Sequence, residues 1–349
     1  MAMNPQEIAT LEVRGKLFTD WKSVQVKQEW TRYNPIFTFE ATEASPIPVR
    51  FGDLPFQPGD EVRVHLGSYM AVRGYIQERH VGFDARNHGV RLVGVGRSFD
   101  VTNSSVPLNR LGNHDGKTWM QLAKALTEHL GIGVDSVGAV DNTPIENVQV
   151  QPGETIAQTL ERYARMRKII IGSTADGNLL AIGDHAGTSS GELREGDNIL
   201  QANAVLRDEY LFQKIFAIGQ QNSNDQRSGD QSNKQIAQVS GSSTRNRHLV
   251  VVADIADSQH GINQRAAIEK LFTEGAKLEA HIRVQGWFKP GGNDPWRAGE
   301  YYTVVSPMLG LNNLLGCRSA LYEQADGSGT TTTLEMVDPF HMNGRPNLG

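Results

Sequence analysis

Residues Gly59 to Gly96 read GDEVRVHLGSYMAVRGYIQERHVGFDARNHGVRLVGVG, and their period decides the class of fold. From Glu61 to Leu66 the chain alternates cleanly: Val62, Val64 and Leu66 on one side, Glu61, Arg63 and His65 on the other. Successive side chains on a strand point to opposite faces, so this is a half-buried strand. Ala71 to Arg79 and Gly89 to Gly96 continue the series, with turn signals at Gln57-Pro58-Gly59-Asp60 and Asn87-His88-Gly89. Upstream, Ile8 to Phe18 alternates loosely, and Ser23 to Trp30 places Val24, Val26 and Trp30 at even positions. Between Ile36 and Glu40, Phe37 and Phe39 oppose Ile36, Thr38 and Glu40. Strands this short and evenly spaced predict a small antiparallel barrel or sandwich over residues 1–100.

The period then changes. Thr118 opens a helix, with Gln121 placed to complete a reciprocal capping box. Trp119, Leu122, Ala123, Leu126 and Leu130 follow at helical spacing, and Gly131 supplies a left-handed C-terminal residue. A second helix opens near Gly153-Glu154-Thr155 and carries Ile156, Ala157, Leu160, Tyr163 and Ala164 on one face. Arg165, Arg167 and Lys168 crowd its last turn, where the helix dipole favours cations. Lys168 to Ser173 and Leu179 to Gly183 flank Ala175-Asp176-Gly177-Asn178, a hairpin signal. Residues 101–200 therefore predict a helix-helix-hairpin α+β module.

Residues 201–340 return to strands at Ala204-Val205-Leu206, Lys214 to Gly219, Leu249 to Ala253, Leu278 to Phe288, Tyr301 to Ser306, Cys317 to Gln324 and Thr330 to Met336. A helix is expected over 261–277. Gln220 to Asn246 is almost free of large apolar residues and reads as a long mobile loop, because it cannot bury enough surface to offset ordering entropy. Residues 341–349 read as a disordered tail. The fold class is thus α+β and β-rich: two small antiparallel barrel-like domains flanking an α+β module.

The two β-rich ends share an order. Gly59-Asp60 introduces a strand, and Arg73 to His80 leads through Asp84 to Gly89 into a last strand. Gly299-Glu300 introduces another, and Cys317 to Gln324 leads through Asp326-Gly327-Ser328-Gly329 into Thr330 to Met336. These are expected to be two copies of one barrel.

Composition excludes several classes. The 349 residues exceed one ordinary core and suit two or three domains. The formal net charge is −5 with no basic block, so the sequence carries no electrostatic grip on nucleic acid. A single cysteine, Cys317, rules out an intramolecular disulfide and a cysteine-rich zinc site. The longest apolar runs, such as Ile169-Ile170-Ile171, are strand-sized, far below the roughly 20 residues of a membrane helix. No stable membrane insertion is expected.

Enzyme signatures are absent: there is no His-Glu-x-x-His helix, no Gly-x-Ser-x-Gly elbow and no phosphate loop. His80, Asp84 and His88 read as a solvated hairpin rather than a metal cluster. His114 and Asp115 read as polar residues around a helix cap. Gly94-Val95-Gly96 ends a strand without a following helix, and Cys317 reads as a small packed hydrophobe. Neither a cofactor nor a metal is expected. Large aromatics are the remaining candidates. Trp296, Tyr301 and Tyr302 are expected to anchor a subunit or partner interface, where Trp and Tyr are enriched. Trp287, in an alternating strand, reads as core.

Three stretches in register carry a resemblance: GKLFTDWKSVQV from Gly15 to Val26, QPGETIAQTLERYARMRKIIIGSTADGNLLAIG from Gln151 to Gly183, and HLVVVADIADSQHGINQRAAIEKLFTEGAKLEAHIRVQGWF from His248 to Phe288. The chain resembles the baseplate hub proteins of Mu-like contractile-tailed phages, in the wider late control tail protein family. The loop 220–246 and the short C-terminus depart from that pattern. The resemblance implies a structural, non-enzymatic hub: a homotrimer with paired barrels around an axial channel, joining a sixfold tail tube to a threefold central spike. It further implies contacts with neighbouring baseplate proteins, passage of DNA without specific binding, assembly in the host cytoplasm and residence in the virion tail. A second reading is open: Val150 to Ala164, VQPGETIAQTLERYA, resembles the start of a LysM-type glycan-binding module. A cell-wall-directed tail protein or a spike component of a related injection system stands as the alternative.

Overall fold

The computed structural model describes residues 7–41, 56–83, 88–112, 114–219, 235–253 and 258–346. The first module consists of β1 (Ala9–Val13), β2 (Lys16–Phe18), β3 (Ser23–Glu29), β4 (Ile36–Ala41), β5 (Glu61–Leu66), β6 (Tyr69–Phe83) and β7 (His88–Gly96). Its spatial order is β2-β1-β5-β6-β7-β4-β3, antiparallel throughout. The alternation of β5 is realised as read: Val62, Val64 and Leu66 are buried while Glu61 and Arg63 are exposed.

The middle module follows a short helix α1 (Asp100–Asn103) with α2 (Trp119–Thr127), β8 (Val134–Val137), α3 (Ile156–Arg165), β9 (Ile170–Ser173) and β10 (Leu179–Ile182). Both long helices open on a reciprocal capping box, Thr118 with Gln121 and Thr155 with Gln158. Gly131 takes the left-handed conformation, φ 64°, that a residue with a Cβ adopts at a cost. The hairpin β9–β10 gains a third, parallel strand in β8, which the sequence reading did not anticipate. Trp119, Leu122, Leu126, Ile156, Leu160 and Tyr163 form the separate core of this module.

The second barrel-like module is built from β12 (Ser189–Arg194), β13 (Ile199–Leu206), β17 (Leu278–Gln285), β18 (Tyr301–Ser306), β19 (Leu311–Ala325) and β20 (Gly329–Val337). It begins near residue 189 rather than 201, since β12 pairs in parallel with β18. Between β13 and β17 the chain inserts β14 (Lys214–Gly219), β15 (Ile236–Ser240), β16 (His248–Ala253) and α4 (Gln259–Gly275), a three-stranded sheet with a helix packed on it.

Two further expectations need correction. Of the loop expected over 220–246, residues 220–234 lie outside the described residues, but Ile236–Ser240 is a strand paired with β14. Ala237 and Val239 face α4 and supply the burial that composition appeared to deny. The tail expected to be disordered forms a short strand, β21 (Gly344–Pro346), paired in parallel with β11 (His185–Gly187). It is held because Asn343, in the left-handed region, donates to the carbonyls of Lys168 and Ile182. Residues 347–349 lie outside the described residues.

Candidate assembly surface

The two barrel-like modules meet along one pair of strands. β3 runs antiparallel to the second half of β19, from Ser319 opposite Glu29 to Ala325 opposite Ser23. Main-chain hydrogen bonds cross the junction, so one 13-stranded sheet runs through both modules. On the core side of this seam Val24, Val26, Ala320 and Tyr322 are buried. The Tyr322 hydroxyl reaches the Trp296 carbonyl and Gln28 Oε1. Burial pushes its pKa well up, which keeps it a donor. Gln28 Nε2 in turn donates to the Ala71 carbonyl at 2.6 Å.

Five strands of each module repeat in order, while β1 pairs antiparallel with β5 and β12 parallel with β18. β5, β6 and β7 have 6, 15 and 9 residues; β18, β19 and β20 have 6, 15 and 9. The spatial order β5-β6-β7-β4-β3 matches β18-β19-β20-β17-β13. A β-bulge interrupts β6–β7 between Ile76 and Glu78, and its counterpart interrupts β19–β20 between Cys317 and Ser319. Bulges fix register, so the shared position sets Ser319 on Glu78. Lys27 lies opposite Ile36, which lies opposite Val95. Val205 likewise lies opposite Glu279, which lies opposite Val337. Lys27 therefore corresponds to Val205.

The aromatic residues expected at an interface lie inside the chain instead. Trp296 is 2%, Tyr301 4% and Tyr302 0% exposed. The loop carrying Trp296 folds back, the Trp296 backbone N–H donating to the Trp287 carbonyl at 3.0 Å, and sets the indole in a tilted contact 5.3 Å from the Tyr302 ring. The Tyr302 hydroxyl donates to Glu300 and accepts from the Arg297 N–H. Tyr301 meets His185 Nε2 at 2.6 Å. With no face left for a partner, these three are core residues, as is Trp287 at 0% exposure. Apolar surface lies elsewhere, notably at Val81, Phe83, Val205 and Leu206. Their signal in sequence was faint: apolar residues at the far ends of strands.

The other candidates resolve locally. Cys317 is buried and its Sγ lies 3.3 Å from the Ser319 carbonyl; burial raises its pKa, opposite to an activated thiolate. His114 Nε2 contacts the Arg110 carbonyl, and Asp115 accepts from the Val148 N–H. His80 contacts Glu78 at 2.7 Å, while Asp84 lies outside the described residues. Among the described residues one trio has ligand atoms close together, Glu279, His281 and Glu335. Arg207 and Arg318 already neutralise it. Burial acts to raise the pKa of Glu335, but hydrogen bonding and charge from Arg318 hold it below the ordinary range. In the LysM-like stretch, Thr155 caps α3 and Glu154 accepts from Arg162 and Thr159. Those side chains serve the module itself.

Two family profiles match in sequence: "Mu phage baseplate assembly protein GpP-like, N-terminal" over residues 8–97 and "Baseplate hub protein gp44-like, second domain" over 99–183. The chain belongs to the baseplate hub proteins of Mu-like phages. It is 21% identical to the baseplate hub protein gp44 of Escherichia phage Mu over 341 residues, 95% of this chain and 88% of that one. Its fold is that of the 43 kDa tail protein of prophage MuSo2 from Shewanella oneidensis, with a TM-score of 0.82, 21% identity, and 96% and 99% of the two chains covered. A tail protein from Neisseria meningitidis MC58 has a TM-score of 0.79 at 17% identity, covering 96% and 98%. An Escherichia coli component of the type VI secretion system has the same fold more distantly, with a TM-score of 0.62 at 10% identity, covering 96% and 78%.

Proposed function

We propose that three copies of this hub close into a ring of six barrel-like modules, strictly threefold but near-sixfold on one face. The duplication carries this reading: two modules with the same order of five strands, three of them matched in length, and a shared bulge, joined edge to edge in one sheet. Such a ring couples a sixfold tail tube to a threefold spike, with neighbouring baseplate proteins around it. Its work is mechanical and non-enzymatic: it holds both partners on one axis and transmits force. The central opening passes DNA. Three copies at −5 each give about −15, and an acidic protein offers no counterion release to reward DNA binding. The hub resides in the virion tail after assembly in the host cytoplasm. A spike role in a related injection system is the second reading, favoured by the fold shared with the type VI component.

Light scattering with electron microscopy down the particle axis tests the ring. A trimeric mass and a six-lobed ring with a central opening are expected. A monomer at the highest soluble concentration overturns the reading.

A further inference from the structure

One segment crosses both connections through which the middle module and the inserted sheet and helix join the second barrel-like module. The middle module reaches that module through residues 183–188, which include β11, and the insertion returns to it through Ala276 and Lys277, between α4 and β17. Residues 338–346 touch both. β21 pairs in parallel with β11, and the His185 N–H donates to the Asn343 carbonyl at 3.3 Å. Upstream, Lys277 pairs with Asp338 at 2.8 Å, and one turn of 3₁₀ helix, Pro339–Met342, lies against the last turn of α4. The approach is so close that a Cβ at Gly275 would stand 2.4 Å from His341 Cβ.

This segment is fixed firmly on one side and lightly held on the other. Toward the second module, Met342 is fully buried with Tyr301 and Val337, and a Cβ at Gly316 would stand 2.2 Å from its Sδ. Toward the middle module the holding groups are few. They are the three-residue pairing of β21 and the Asn343 side chain, whose Nδ2 donates to the Lys168 and Ile182 carbonyls at 3.1 Å each. Closure also carries costs. Asn343 and the Lys168 it contacts have φ of 58° and 53°, the left-handed region that residues with a Cβ adopt unfavourably. Asn343 Oδ1 and His341 Nδ1 are buried with no partner among the described residues, so each has lost water without gaining a hydrogen bond.

We infer that residues 338–346 form a latch that opens as a unit while the modules stay folded. Closed, as here, it holds the linker 183–188 and the end of α4 against the second module. Opening it returns water to the two orphaned polar atoms, bares the edge that β11 gives to β21, and loosens the turn at Ala276 and Lys277 through which the insertion returns. Local opening of this kind draws on the weakest contacts of a fold. The seam between β3 and β19 shares no residue with the latch, so the two barrel-like modules stay joined. The inference concerns a single protomer and stands apart from the ring.

Hydrogen exchange of the intact chain, read by mass spectrometry, tests it. Asn343→Asp puts an oxygen where Nδ2 faces two carbonyls, at nearly unchanged volume, and is expected to open the latch. Amides of 183–187 and of 272–277 should then exchange about tenfold faster, while those of 23–29, 119–127 and 319–325 keep their wild-type rates. Asn343→Gly retains the left-handed backbone and removes both donors. It should speed the same two segments to a smaller degree, and it serves as the test should the aspartate variant fold poorly. Unchanged rates at 183–187 and 272–277 in both variants, or a rise in only one of the two segments, overturn the latch. Equal acceleration in the three control segments overturns it too, because the segment would then open only with the whole fold.

Discussion

The two barrel-like modules share a frame but fill it in opposite ways. In the first, Phe37 on β4 lies opposite Gly94 on β7. A Cβ at Gly94 would lie 2.0 Å from Phe37 Cζ, a clash with the tip of the ring. In the second, the corresponding pair is Ala280 on β17 opposite Met336 on β20, both fully buried. A large-small pair has become small-large, with the volume kept nearly constant. The seam partners differ likewise: Gln28 and Tyr322 form a half-buried polar contact inside the chain, whereas Leu206 and Val81, at the corresponding places, are exposed. Elaboration differs too. The first module turns from β3 to β4 in six residues, while the second inserts β14, β15, β16 and α4 at that point. Among the described residues the inserted strands do not pair with β13, so the shared strand order is retained while the periphery varies.

The largest expected effect separates the sealed seam from its exposed counterpart. Tyr322→Ala empties a fully buried site and should cost about 3–5 kcal/mol. Val81→Ala, its counterpart, should stay within about 0.5 kcal/mol in the monomer. Urea unfolding of both variants under monomeric conditions checks this; equal losses would break the correspondence. Next in size is the packing swap. Gly94→Met should cost about 1–3 kcal/mol by overpacking. Adding Phe37→Ala should give a double variant more stable than the two separate losses predict, by about 0.5–3 kcal/mol. Simple additivity in a double-mutant cycle would show that the modules do not pack equivalently.

A smaller effect belongs to the second module alone. His341 lies 6.0 Å from Phe272 of α4, and its Nε2 accepts from Arg318. Burial, then the Arg318 charge, push its pKa down to about 4 from 6.5. The folded pKa is below the unfolded one, so the unfolded chain binds the extra proton between them. The stabilising contribution is therefore complete above about pH 6.5 and is lost as pH falls toward 4. His341→Gln should flatten that part of the stability profile, read as thermal midpoint against pH. An unchanged acid slope would place the titrating group elsewhere.

Much of this architecture was written in local pattern. Period-two stretches such as Glu61 to Leu66, the capping boxes at Thr118 and Thr155, and the Asp176-Gly177 turn each depend on near neighbours, so the sequence alone determined the strands, helices and hairpin. The shared order of turns and strands announced the duplication for the same reason. What escaped depends on residues far apart in the chain. Ile236–Ser240 is a strand only because β14 and α4 give Ala237 and Val239 somewhere to bury. Trp296 looked exposed in its polar loop until that loop folded onto Tyr302. The seam joins residues about 300 positions apart, and which edges stay open depends on which are already paired. Local chemistry chose the elements; the tertiary structure decided which faces and edges remain for a partner, because exposure is a property of the assembled surface.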